Sequence, residues 1–257
     1  MIDVKNCHHR IRIWLAVCGI LCSFGGCAGR TPAEPAAEET AVSGEQNSES
    51  DNVPVQERTE AETAEAVYCE GLKAAVCIYT SADSNGTGFV YDGKYVITNA
   101  HVLYDADDFT LVDANSSEYK GTVIFTDDTN DIAVIRVDDY QGGSVKFGDS
   151  DGVAEGDTLL MIGNPRGGEP FSFCTGKRII PDEQLLQKID QENRYIAADA
   201  NIISGYSGGP VFNMDAELIG ISNAAYTGDL SAYEFDHLCL IISINSVREL
   251  IEEECAE

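Results

Sequence analysis

The chain has 257 residues, 44% of them hydrophobic and 8% aromatic, which suffices for one large or two small globular domains. Its formal net charge is −28, from 44 acidic against 16 basic residues. A surface so acidic repels nucleic-acid phosphates and anionic lipid headgroups, so nucleic acid is excluded as a partner and basic partners are favoured.

Residues 1–27 read as an export signal. Lys5, Arg10 and Arg12 make a basic start, and Ile13 to Phe24 is a short apolar run ending in Gly25-Gly26-Cys27. About a dozen apolar residues fall short of the ~20 that a spanning helix needs. The small-small-Cys ending resembles a bacterial lipoprotein box. It predicts lipidation at Cys27 and an extracytoplasmic, membrane-anchored protein, with an ordinary cleaved signal or a retained anchor as the alternatives. Of nine cysteines, the body beyond residue 27 keeps Cys69, Cys77, Cys174, Cys239 and Cys255, an odd count that leaves at least one unpaired within the chain. Export permits disulfides, but the spacing gives no pairing. Cys174 and Cys239 lie in apolar runs and read as core thiols. No Cys-x-x-Cys or His-x-x-x-His spacing points to a metal, and no cofactor is expected.

Residues 28–66 are rich in Ala, Glu, Thr, Ser and Pro. Such a segment cannot bury enough apolar area to offset its ordering entropy, so a disordered acidic tether is expected. A helical turn over Ala61 to Val67 would lead into the domain. From Val67 the pattern changes to short apolar runs, among them Ala74–Thr80, Tyr95–Thr98, Ile132–Val137, Thr158–Ile162, Leu218–Ile221 and Leu238–Ile244. Turn signals such as Asp92-Gly93 and Asp151-Gly152 separate them. Many short strands with few helices predict an all-β barrel or sandwich. Leu185, Leu186 and Ile189 share helical spacing within the polar loop 181–194, which predicts a short surface helix. Near the C-terminus, Ser246-Val-Arg-Glu249 reads as a capping box opening a short helix with Val247, Leu250 and Ile251 inward. Glu252 to Glu254 sit at the wrong end of its dipole, so fraying is expected there.

The stretch Asp199–Asn213 carries the chemistry. Ser207 lies between Gly205-Tyr206 and Gly208-Gly209. Glycines let the backbone turn tightly and aim N–H groups at one point. A serine nucleophile also needs a base and an orienting carboxylate. The chain has four histidines; His8 and His9 lie in the export segment, leaving His101 and His237. His101 follows the apolar run Tyr95–Thr98, and Asp131 immediately precedes the run Ile132–Val137. A base at a strand end, a carboxylate at the start of another strand and a serine on a glycine turn are the parts of a Ser-His-Asp triad.

On these residues the chain resembles trypsin-like serine proteases of the HtrA/Deg branch. The matching pieces are Gly86-Thr-Gly-Phe-Val90, Val96-Ile-Thr-Asn-Ala-His-Val102, Asn130-Asp-Ile-Ala-Val134, Ile162-Gly-Asn-Pro165, Gly205-Tyr-Ser-Gly-Gly-Pro-Val211 and Leu218-Ile-Gly-Ile221. The resemblance implies a serine endopeptidase acting on exported or unfolded polypeptides. It implies two six-stranded antiparallel barrels of the chymotrypsin-like kind within a protease domain 67–257, the first over about 67–145 and the second over about 150–245, with the crossover near Gly142–Asp157. His101 and Asp131 would come from the first and Ser207 from the second. The N–H groups of Gly205 and Ser207 would form the oxyanion hole. Asn201, Ser204, Asn223 and Ala225 would line a pocket for small or medium apolar side chains. Tyr206 departs from the small polar residue, commonly Asn, usual in the branch, and the chain ends at 257 without the PDZ domain common there. The nucleophile elbow of α/β-hydrolases is an alternative that fails on context, because Gly208-Gly209-Pro210 leads into a strand rather than a helix. A membrane-tethered binding module that has lost activity is the second alternative, and Tyr206 is the feature that favours it.

Overall fold

The computed structural model describes residues 58–82, 84–166, 168–189 and 195–256. The proposed lipidation site Cys27 and most of the expected tether lie outside them. The first described element, α1 (Glu60–Gly71), begins inside the segment expected to be a tether. Thr59 caps it: its hydroxyl accepts the Glu62 N–H, and the Glu62 carboxylate accepts the Thr59 N–H at 2.9 Å. Its far end is fixed by packing. Val67, Tyr68 and Gly71 are buried, and a Cβ on Gly71 would collide with Phe212 and Ile162.

Seven strands follow: β1 (Ala75–Thr80), β2 (Asn85–Tyr91), β3 (Tyr95–Thr98), β4 (Phe109–Asp113), β5 (Glu118–Tyr119), β6 (Thr122–Asp127) and β7 (Ile132–Arg136). They form one antiparallel sheet in the order β5-β4-β1-β2-β3-β7-β6. The next six are β8 (Thr158–Gly163), β9 (Ser172–Ile179), β10 (Tyr195–Asp199), β11 (Pro210–Phe212), β12 (Leu218–Ala225) and β13 (Cys239–Ser243). These close into a barrel in the order β10-β13-β12-β11-β8-β9. The all-β, two-unit architecture is the one expected. Its first unit carries seven strands and its second six. The additional strand is the two-residue β5, too short to leave a period in the sequence.

One apolar cluster joins the units. Phe89, Ile97 and Val134 of the first sheet and Ile162, Phe212 and Ile242 of the second barrel are each at most 2% exposed and share it with Tyr68 of α1. Burying each such side chain contributes ~1.5–3 kcal/mol, so the shared cluster holds the two units together. A helix α2 (Glu183–Ile189) stands where the spacing predicted one, with Leu185 and Ile189 packed on Ala197, Leu238 and Leu240.

The last helix, α3 (Ile244–Glu254), differs from expectation at both ends. It starts directly off β13 with Ser243 as N-cap and no side-chain capping bond. Ser246 is not a cap; its hydroxyl donates back to the Ser243 carbonyl at 2.7 Å. The strand already fixes the backbone, so no capping box is needed to start the helix. The acidic run Glu252–Glu254 stays helical because Ile251 and Cys255, 0% and 7% exposed, anchor the last turn. Their burial, ~1.5–3 kcal/mol for a large apolar side chain, exceeds the ~0.3–1 kcal/mol of an unfavourable dipole. Cys77, Cys174, Cys239 and Cys255 are thiols rather than halves of disulfides, and burial pushes the Cys174 thiol up to about 12.

Candidate active site

The fully buried strand β3 delivers His101. At its end Asn99 is 0% exposed, and a 3-10 turn over Ala100–Leu103 follows. The buried Asn99 amide ties both halves of the site together. Its Nδ2 donates to the Asp131 carbonyl at 2.9 Å, and its Oδ1 accepts the Gly208 N–H at 2.7 Å. Asp131 sits in the turn between β6 and β7 with φ 55°, in the left-handed region that Asp tolerates better than most residues. Asp127 shapes that turn by accepting the N–H groups of Thr129 and Asn130.

Asp131 and His101 meet twice. The His101 backbone N–H donates to Asp131 Oδ1 at 2.9 Å, and ring Nδ1 lies 2.7 Å from Oδ2. A carboxylate beside Nδ1 assigns the proton to that nitrogen and leaves the Nε2 lone pair for a base. His237, the other candidate, lies 4.0 Å from Asp199 and makes no bond to Ser207.

Ser207 follows the turn Ile203–Tyr206, closed by the Tyr206 N–H on the Ile203 carbonyl at 3.2 Å. Gly205 holds its third position with φ 103°, the signature of a type II turn. In that turn the Ser204 carbonyl and Gly205 N–H point in opposite directions, because their shared peptide is planar and trans. The Ser204 carbonyl accepts the Arg166 N–H at 3.2 Å, which commits its direction. Behind the turn, the Gly205 carbonyl accepts the Asn164 N–H at 3.1 Å and the Thr87 hydroxyl at 2.7 Å. A Cβ on Gly205 would overlap the Asn164 carbonyl, so only glycine fits. Among the described residues, no acceptor meets the N–H of Gly205 or of Ser207.

The Ser207 hydroxyl donates to the Asn223 carbonyl at 3.2 Å and makes no hydrogen bond to His101. Asn223 in turn donates its side-chain N–H to Asp131 Oδ2 at 2.6 Å. Expected in a pocket wall, it also links Ser207 to Asp131. The cause is a break in the β12–β13 register between Ser222 and Ala224, which turns Asn223 out of the ladder. The nearby Gly-Ile-Ser-Asn run carries no spacing that reveals such a bulge. Of the other expected pocket residues, Asn201, Ser204 and Ala225 are exposed. Tyr206 does not enter the cleft. It is 5% exposed, packs with Leu159, Met161 and Val211, and its ring covers Gly163, where a Cβ would overlap it. Burial pushes its hydroxyl pKa upward.

Residues 86–221, which hold His101, Asp131 and Ser207, match the family model of the trypsin-like peptidase domain. The chain belongs to the trypsin-like peptidase family. Among curated members, it is 36% identical over 147 residues to a probable periplasmic serine endoprotease DegP-like of Pseudomonas putida, covering 57% of this chain and 30% of that protein. It is 29% identical over 187 residues to the serine protease HtrA-like of Staphylococcus aureus, covering 67% of this chain and 24% of that one. The match thus spans about a third or less of these relatives' length. Among solved structures, the HtrA-type protease AlgW with tripeptide superposes with a TM-score of 0.63 at 26% identity, over 73% of this chain and 62% of that one.

Proposed function

We propose that this trypsin-like peptidase is a serine endopeptidase working through an acyl-enzyme. The observation that carries this reading is the pairing of His101 Nδ1 with Asp131 Oδ2 at 2.7 Å, beside a serine turn whose Gly205 and Ser207 N–H groups have no described acceptor. The Ser207 hydroxyl swings from the Asn223 carbonyl to His101 Nε2, a movement the resting geometry of active sites commonly requires. His101 takes its proton as Oγ bonds to the scissile carbonyl carbon. The resulting oxyanion is received by the two N–H groups; losing one such donor typically costs ~2.7–4 kcal/mol of transition-state stabilisation. His101 then passes the proton to the leaving amine as the C–N bond breaks. Water attacks the acyl carbon as His101 accepts its proton; the acyl C–Oγ bond then breaks and His101 returns the proton to Ser207. Asp131 keeps the imidazole in the required tautomer throughout.

Exported or unfolded polypeptides are the proposed substrates. Relatives named as periplasmic endoproteases and a peptide-bound HtrA-type neighbour support that choice. Asn201, Ser204 and Ala225 are the proposed lining of the specificity pocket, for small or medium apolar side chains. An extracytoplasmic location with a lipid anchor at Cys27 follows from the N-terminal sequence. Among the described residues no helix is long and apolar enough to cross a membrane.

The bond from Ser207 to the Asn223 carbonyl is the one observation favouring an inactive binding module. A fluorophosphonate probe and casein hydrolysis separate the readings. The endopeptidase labels at Ser207 and cleaves casein, and Ser207→Ala does neither while keeping its thermal midpoint. A folded wild-type protein that does not label is a binding module.

A further inference from the structure

The helix α1 precedes the first sheet in sequence yet is docked on the second barrel. Glu60 bonds Thr158 of β8 and pairs with Lys177 of β9 at 2.7 Å. The Tyr68 hydroxyl donates to the Phe171 carbonyl at 2.6 Å in a buried setting, and its ring lies 4.5 Å, centroid to centroid, from that of Phe173. Phe171 is 3% exposed and held at φ 58°, a conformation disfavoured for a bulky residue unless its surroundings enforce it. It closes the connection from β8 to β9. The other end of that connection supplies the Asn164 and Arg166 N–H groups that hold the Gly205 and Ser204 carbonyls.

Resting on the endopeptidase reading, we propose that Tyr68 is a positioning residue for the oxyanion turn, acting through Phe171 and the Ser172–Gly163 pair at the neck of the β8–β9 hairpin on the Arg166–Ser204 hydrogen bond. The physical reason is the choice open to the Ser204–Gly205 peptide. With the Ser204 carbonyl held by Arg166, the turn is type II and the Gly205 N–H is presented beside Ser207. Release that carbonyl and the peptide can rotate toward the type I arrangement, which reverses carbonyl and N–H. The reversed peptide offers an oxygen where the oxyanion needs a donor. Tyr68 touches neither substrate nor nucleophile, so its effect falls on the transition state rather than on substrate binding.

The test is Tyr68→Phe in the full chain, which deletes one hydroxyl and keeps the ring packing. Three quantities are compared with wild type: amide hydrogen exchange at Arg166, kcat and KM on a neutral peptide, and the thermal midpoint. The loss of one buried hydrogen bond predicts about fivefold faster exchange at Arg166 and kcat lower by about the same factor, with KM unchanged. Tyr68→Leu, which removes ring and hydroxyl, should lower kcat further in the same direction. Wild-type exchange at Arg166 in Tyr68→Phe overturns the proposal, as does faster exchange with unchanged kcat, or a change confined to KM. A wild-type chain inert toward the fluorophosphonate probe overturns the peptidase reading instead, while exchange at Arg166 still decides the coupling from α1 to the turn.

Discussion

Asn223 holds Asp131 with its side chain, at 2.6 Å on Oδ2, and the Ser207 hydroxyl with its carbonyl, at 3.2 Å. The two bonds have opposite consequences. The first steadies the carboxylate beside His101; the second turns the Ser207 proton away from the imidazole to which the proposed mechanism must deliver it. Asn223→Ala removes only the first, because the backbone carbonyl stays. A hydrogen bond to a charged group contributes ~1.5–3 kcal/mol, so kcat/KM on a neutral peptide should fall at least tenfold. Asn223→Asp should be worse, because it sets a second carboxylate against Asp131. Equal activity of all three proteins would remove Asn223 from the machinery.

Gly205 admits no side chain. Its φ of 103° strains any L-residue, and the Asn164 carbonyl occupies the space a Cβ would need. Gly205→Ala should therefore displace the turn that aims the Gly205 N–H. The expected result is a 10²–10³-fold loss of kcat with a stability loss of about 1–3 kcal/mol, measured by steady-state kinetics and urea unfolding. An active, equally stable variant would show that the turn is not the oxyanion site.

Tyr206 invites a substitution that should fail. Replacing it with the Asn usual in the HtrA/Deg branch looks like a repair beside the proposed nucleophile. In this chain, however, the ring fills the barrel interior above Gly163. Tyr206→Asn would leave a cavity and bury an amide, so a stability loss of about 3–5 kcal/mol is expected, with no gain in activity. A thermal midpoint equal to that of wild type would contradict this packing.

What could be read from the sequence was whatever has a local period or a local motif. The strands β3, β7 and β8 are continuous apolar runs bounded by turn residues. The Gly-x-Ser-x-Gly turn, His101 and Asp131 stand in short contexts that point to one chemistry. The start of α1 was less visible, because its capping box lies in an acidic segment whose composition reads as solvated chain. The helix persists because Val67, Tyr68 and Gly71 find a barrel to pack on, which is tertiary information. Asn223 was hidden for a similar reason: only the register break in β12 directs its side chain to Asp131. The capping reading of Ser246 failed because a helix continuing straight from a strand needs no separate start signal.

The last prediction concerns alkaline pH and three thiols, two buried and one half-buried. Burial pushes Cys174 and Cys255 each up to about 12, and raises Cys239 as well. An unfolded thiol ionises near 8.5. Between those values the unfolded chain has released protons that the folded chain retains, so the unfolded state binds fewer protons and stability falls as pH rises. The contribution is intact below about pH 8.5 and is lost progressively toward pH 12, at up to about 1.4 kcal/mol per pH unit for each such thiol. The urea midpoint should accordingly hold steady from pH 7 to 8 and decline from pH 9 to 10.5. In Cys174→Ala one thiol no longer contributes, so the decline should be shallower. An unchanged slope in that variant would mean that Cys174 ionises as readily in the folded chain as in the unfolded one, which is incompatible with its half-buried place against the Tyr206 cluster of the second barrel.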